Sequence, residues 1–132
     1  MEEDVHTVLV VDDDTAVRRT ITRCLAVDGF KAIEAGNGQA ALAYLRSGGA
    51  ADVIVLDLHM PLMDGWTFRR EQRGDPALAR IPVIILSDQH IHESPEMGTV
   101  LTFHKPAPLS ALIGCVRRLC EDAPTPQRTS SI

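Results

Sequence analysis

The stretch "VIVLDLHMPLMDGW", residues 53–66, opens on an apolar β-branched run, meets a carboxylate at Asp57, and passes through Met60-Pro61 to an Asp64-Gly65 turn. A short apolar run bounded by turn signals reads as a buried strand, and one apolar at successive positions has both faces covered. An acid that closes such a run stands at the rim of a sheet, where a buried scaffold can hold it rigidly.

The same grammar repeats outward from this segment. "TVLVV" (7–11), "KAIEA" (31–35), "DVIVL" (52–56), "IPVIIL" (81–86) and "VLTF" (100–103) are predicted strands, the fourth with its proline near the start, where a missing amide donor is tolerated. Between them the spacing turns helical. Val17, Ile21, Cys24 and Leu25 recur on one face until Asp28-Gly29; "GQAALAYLRSGG" closes on Gly48 and Gly49; "GWTFRREQR" runs to Gly74. Leu109, Leu112, Ile113, Val116, Leu119 and Cys120 mark an amphipathic last helix. In "DQHIHESPEMGT" (88–99), Pro95 and Gly98 leave room for about two helical turns at most, so the fourth helix is expected to be short or absent. Strands alternating with helices predict an α/β fold: a doubly wound, five-stranded parallel sheet in a three-layer sandwich. Residues 1–122 form the expected domain, and 123–132, with two prolines among small polar residues, a disordered tail.

Composition bounds the function. The 132 residues are 45% hydrophobic and 23% charged, with a net charge of -5, which suits one globular domain and argues against a nucleic-acid surface. Residues 1–7 lack the basic start and apolar stretch of a signal peptide, and no run approaches the roughly 20 apolar residues a bilayer requires. A cytoplasmic protein with no membrane partner is expected. Cys24, Cys115 and Cys120 form no CxxC pair and read as reduced helix residues.

Ligands of open α/β sheets bind beyond the carboxyl ends of the strands. There the sequence places Asp12, Asp13 and Asp14, then Asp57, then Ser87 and Asp88, then Lys105-Pro106. Two carboxylates about 4 Å apart repel by roughly 4 kcal/mol at an effective dielectric near 20, so the acids need compensation. A divalent cation and the Lys105 ammonium would supply it, and Mg2+ suits an all-oxygen site that retains waters and receives a phosphate. Simpler readings account for single residues: Asp14 as a cap of the first helix, Asp64 as turn and cap of the third, and Arg69, Arg70 and Arg73, like Arg18 and Arg19, as a polar helix face. His90 and His92 read as solvated loop residues rather than ligands.

Taken together, "VVDDD", the D-x-x-M-P-x-M-D-G of Asp57 to Gly65, "VIILS" ending on Ser87, and "FHKP" resemble the receiver domain of two-component response regulators over about residues 5–121. The resemblance implies strand order 2-1-3-4-5, with Asp57 as acceptor of a phosphoryl group from a sensor histidine kinase or a histidine phosphotransfer protein. It implies Mg2+ held by Asp13, Asp57 and the backbone carbonyl of His59, with Asp12 at or beside the metal. Ser87 would hydrogen-bond the phosphoryl group, Lys105 would pair with it, and the Lys105-Pro106 bond would be cis. Such a module is not a free-standing enzyme, and signals by binding a downstream protein target. The sequence departs from the pattern at Asp88, where a small residue is usual, and at Thr102, where an aromatic is usual, with Phe103 one place later on the opposite face. His59 and Gln89 occupy positions expected to tune phosphate lifetime. These departures motivate the alternative of a pseudo-receiver, a protein interaction module independent of phosphorylation. A small Asp-nucleophile phosphatase and a flavin carrier fit less well, because His59 replaces the second acid of the former and Asp12 to Asp14 would repel the phosphate of the latter.

Overall fold

A computed structural model describes residues 5–87, 97–98 and 100–121. Strands β1 (Thr7–Val11), β2 (Lys31–Ala35), β3 (Val53–Asp57), β4 (Val83–Ser87) and β5 (Leu101–His104) interleave with helices α1 (Thr15–Val27), α2 (Gly38–Arg46), α3 (Gly65–Arg73) and α4 (Leu109–Glu121). All neighbouring strands run parallel, in the order β2-β1-β3-β4-β5. The doubly wound α/β prediction holds, and so does the 2-1-3-4-5 order that the resemblance implied.

Strand side chains alternate between faces, and here both faces are apolar. Leu9, Val11, Ile54, Leu56, Val83 and Ile85 pack against Leu42 and Leu45 of α2 and Phe68 of α3. The intervening residues Val8, Val10, Val53, Val55, Ile84 and Leu86 pack against Ile21 and Leu25 of α1 and Leu112, Ile113 and Val116 of α4. The sheet is therefore the middle of three layers. Its registers align the carboxyl ends: Val11 lies beside Ala35 and Leu56, Asp57 beside Leu86, and Ser87 beside His104.

After β1, β2 and β3 a loop turns the strand into its helix, and a capping side chain starts the helix at that rim. Asp14 accepts from the amides of Ala16 and Val17 at 3.0 and 3.1 Å, Asn37 from Ala40 at 2.8 Å, and Asp64 from Thr67 at 2.8 Å. Asp14 and Asp64 are thus the caps expected of them.

Some boundaries move by a residue or two. β3 includes Asp57 rather than stopping before it; β4 begins at Val83, one place beyond Pro82, and includes Ser87; β5 spans 101–104. Arg69 is a larger correction. Expected on a polar face, it is buried at 5% exposure, its Nε donating to the Met97 carbonyl at 2.8 Å and its Nη1 to Gln72 Oε1 at 2.8 Å. Gln72, also buried, donates through Nε2 to the carbonyls of Leu78 and Ile81. This polar cluster ties α3 to the segments flanking β4, where backbone acceptors would otherwise be unpaired. The expected short or absent helix of 88–99 falls, Met97 and Gly98 apart, largely outside the described residues. Asp88, Gln89, His90, His92 and the tail 123–132 lie wholly outside them.

Candidate functional site

The aligned strand ends bring Asp12, Asp57, Ser87 and Lys105 to one rim. Asp12 follows β1 and is held on all sides: its amide donates to Ala35 O at 3.1 Å, its Oδ1 accepts from the Asp14 amide at 2.9 Å, and its carbonyl accepts from Arg18 Nη1 at 2.7 Å. Asp12 is 1% exposed, Asp57 4% and Ser87 0%, so these polar groups are lodged in the scaffold rather than spread over the surface. Asp13, next to Asp12, is exposed.

One carboxylate oxygen from each of Asp12, Asp13 and Asp57 lies within 4.8 Å of the others. Lys105 Nζ stands 2.7 Å from Asp12 Oδ2 and 3.5 Å from Asp57 Oδ2. The Lys105 amide donates to Ser87 O at 2.8 Å, and the bond from Lys105 to Pro106 is cis. One ammonium against three acids leaves the cluster anionic. Burial, and next the neighbouring Asp12, push the Asp57 carboxyl up to about 6, although Lys105 and the His59 amide pull the other way. The same carboxylates raise the Lys105 ammonium above its ordinary value despite its own partial burial, which is the largest influence and acts to lower it.

The β3–α3 loop returns past the acid. Gly65 donates its amide to Leu58 O at 2.9 Å, and a Cβ at Gly65 would come within 2.7 Å of Asp57 O, so only glycine permits this approach. Leu62 takes a left-handed φ of 69° and is 80% exposed. His59 is exposed, its ring edge-on to Trp66 with centroids 5.2 Å apart. On β5, Thr102 is exposed while Phe103 is half-buried and packs toward the α1/α4 side.

The structure thus gathers Asp12, Asp13, Asp57 and Lys105 into one cluster and sets Ser87 on the adjoining strand end. Sequence reasoning missed Arg18, whose Nε also donates to Glu34 Oε1 at 2.7 Å. The sole sequence signal would have been an arginine one helical turn after the Asp14 cap.

Fold and rim together define a class: a flavodoxin-like, CheY-like α/β protein whose reactive groups are carboxylates and a lysine at the carboxyl edge of a 2-1-3-4-5 sheet. Residues 8–117 match the response regulator receiver domain family, and the chain belongs to it. A two-component response regulator of Arabidopsis thaliana is 31% identical over 125 residues, covering 83% of this chain and 81% of that protein. A sensor histidine kinase of Helicobacter pylori is 35% identical over 85 residues, or 64% of this chain, but the match spans only 11% of the kinase. A probable transcriptional regulator of Porphyra purpurea is 34% identical over 87 residues, covering 66% of this chain and 34% of that protein. Among solved structures, the receiver domain of a signal transduction histidine kinase from Syntrophus aciditrophicus superposes with a TM-score of 0.81 at 30% identity, covering 97% of each chain. The receiver domain of a Francisella response regulator gives 0.78 at 30%, covering 89% of this chain and 98% of that one.

Receiver domains generally bind Mg2+ through acidic residues. The residues here fit that ion: the donors are all oxygen, the three acids converge, and Lys105 alone does not balance them. No helix among the described residues is long and apolar enough to cross a membrane.

Proposed function

We propose that Asp57 is the phosphoacceptor of this receiver domain and that Asp12, Asp13, Asp57 and the His59 carbonyl hold Mg2+. The observation that carries this reading is the buried Asp57 carboxylate set within 4.8 Å of two further acids and 3.5 Å from an ammonium. Phosphoryl transfer needs positioning and charge neutralisation more than covalent machinery. An Asp57 oxygen forms the new bond to phosphorus as the phosphorus–nitrogen bond of a phosphohistidine breaks, and the departing electron pair stays on the imidazole, which takes up a proton from solvent. Mg2+, when bound, supplies countercharge to the phosphoryl oxygens. Lys105 supplies the rest, and the Ser87 hydroxyl is placed to donate to a phosphoryl oxygen. Because Asp57 is 4% exposed, the donor must reach into the rim.

The phosphodonor in this reading is a sensor histidine kinase or a histidine phosphotransfer protein. A groove of about 520 Å³ beside Lys105, lined by Ala16, Val17, Pro106 and Leu109, gives it an apolar seat next to the acids. Output passes to a downstream protein target, and the domain acts as a signalling module rather than a free-standing enzyme, in the cytoplasm.

The test uses acetyl phosphate with Mg2+ as donor. The wild type gains one phosphate labile to alkali and hydroxylamine, read as added mass, and Asp57→Ala gains none. Equal labelling of both rejects Asp57 as acceptor, and no labelling of either favours the pseudo-receiver.

A further inference from the structure

Asp12 reaches the acid cluster as a buried carboxylate, and its placement depends on what holds its backbone. β2 contributes twice. Ala35 O accepts the Asp12 amide at 3.1 Å, and Glu34, one residue earlier, accepts from Arg18 Nε at 2.7 Å. Arg18 then spends a second donor, Nη1, on the Asp12 carbonyl at 2.7 Å. Its side chain is 15% exposed and that of Glu34 is 36% exposed, so the link is partly shielded from water. A planar guanidinium can make both bonds in one fixed geometry, whereas an ammonium on a flexible stem is a point donor. The peptide on the carbonyl side of Asp12 also leads directly to Asp13, so one contact orients two of the three clustered acids.

We propose that Arg18, braced by Glu34, is a positioning residue for the Asp12–Asp13 segment and thereby sets the affinity of the acid cluster for its divalent cation. The inference rests on the reading of that cluster as a Mg2+ site. Two effects of Arg18 oppose one another. As a cation beside an acidic pocket it weakens metal binding by repulsion, and as a clamp it strengthens binding by holding the ligands in place. Groups that orient metal ligands without touching the metal typically matter by about 10- to 100-fold in affinity, more than a screened charge at the same rim contributes. The clamp therefore dominates.

The sign of the change separates the two effects. Mg2+ is titrated into the full chain by calorimetry for wild type, Arg18→Met and Arg18→Lys, with thermal melts in EDTA to establish that each variant folds. Positioning predicts that Arg18→Met binds Mg2+ about tenfold more weakly, although it has lost a repelling charge. Arg18→Lys keeps the repelling charge and loses the fork, so it should bind Mg2+ no more tightly than Arg18→Met. Unchanged or tighter binding by Arg18→Met overturns the inference. If that variant does not fold, wild-type affinity in Arg18→Lys does so instead. A wild type that takes up no Mg2+ at millimolar concentration refutes the metal-site reading itself, an outcome distinct from equal affinities among proteins that all bind.

Discussion

Replacing Asp57 by asparagine should stabilise the metal-free protein at neutral pH. Asparagine has nearly the shape of the protonated acid but cannot ionise, so the variant isolates what the carboxylate charge costs. In the folded protein the Asp57 carboxyl is raised from 3.8 to about 6, first by burial and then by Asp12. Between those two values the folded state holds a proton that the unfolded chain has released, so the contribution of this group to stability falls as pH rises. It is complete below about pH 4 and lost above about pH 6. A shift of roughly 2 units at 1.36 kcal/mol each sets a ceiling near 3 kcal/mol. The carboxylate sits at a rim beside the exposed Asp13, where solvent screens part of that cost, so a gain of about 1–3 kcal/mol is expected.

The assay is urea denaturation of wild type and Asp57→Asn in EDTA from pH 3.5 to 8. The stability difference should be near zero at the acid end, grow between pH 4 and 6, and level off above. Adding Mg2+ should then narrow the difference, because only the wild type retains all three acids, and a ligand at ten times its Kd stabilises by about 1.4 kcal/mol. A variant no more stable than wild type at pH 7.5 in EDTA would refute the reasoning, as would a difference independent of pH.

Lys105→Met removes the countercharge from two nearly buried acids and should destabilise the metal-free protein by about 3 kcal/mol at pH 7.5, read by urea denaturation. A loss below 1 kcal/mol would mean that water already balances the acids. Gln72→Leu keeps the apolar bulk but strands the carbonyls of Leu78 and Ile81, and should cost about 2–4 kcal/mol without altering phosphorylation of Asp57 by acetyl phosphate. Wild-type stability in that variant would show that water reaches those carbonyls. Leu62→Gly should raise the melting midpoint, gaining about 0.5–1 kcal/mol, because a left-handed leucine that is 80% exposed makes few contacts to offset its backbone strain. A fall in the midpoint would place Leu62 in a contact that matters.

What was legible in the sequence follows from the range of the forces involved. β1 and β2 were placed to the residue, the first as a continuous apolar run and the second as the short segment between Gly29 and Gly36. Asp12, Asp57 and Lys105 were legible as rim groups, since parallel strands of matched length necessarily align their ends. Arg69 was not. Beside Arg70 and Glu71 it reads as solvated, and its burial depends on the Met97 carbonyl 28 residues away, which no helical periodicity encodes. Arg18 escaped for the same reason, since its partner Glu34 lies 16 residues on and the pair is created by the β1–β2 register. Leu62 escaped because leucine rarely accepts a left-handed backbone, and nothing local announces that it will.

The long-range contacts that could not be read are also those that shape the chemistry. A rim of acids follows from the topology, but the same topology would allow them to splay apart, since like charges gain by separating. Here Gly65 lets the returning loop press against the Asp57 backbone, Ser87 O fixes the Lys105 amide, and Arg18 ties Asp12 to β2. Each restraint acts on backbone groups, which the acids cannot relax by rotating their side chains. The repulsion is therefore held in the folded state instead of being released, and after burial, the larger cause, it helps to raise the Asp57 carboxyl. Under the proposed function, a cation or a phosphoryl group would meet ligands already oriented, so binding would relieve charge without first having to order the site.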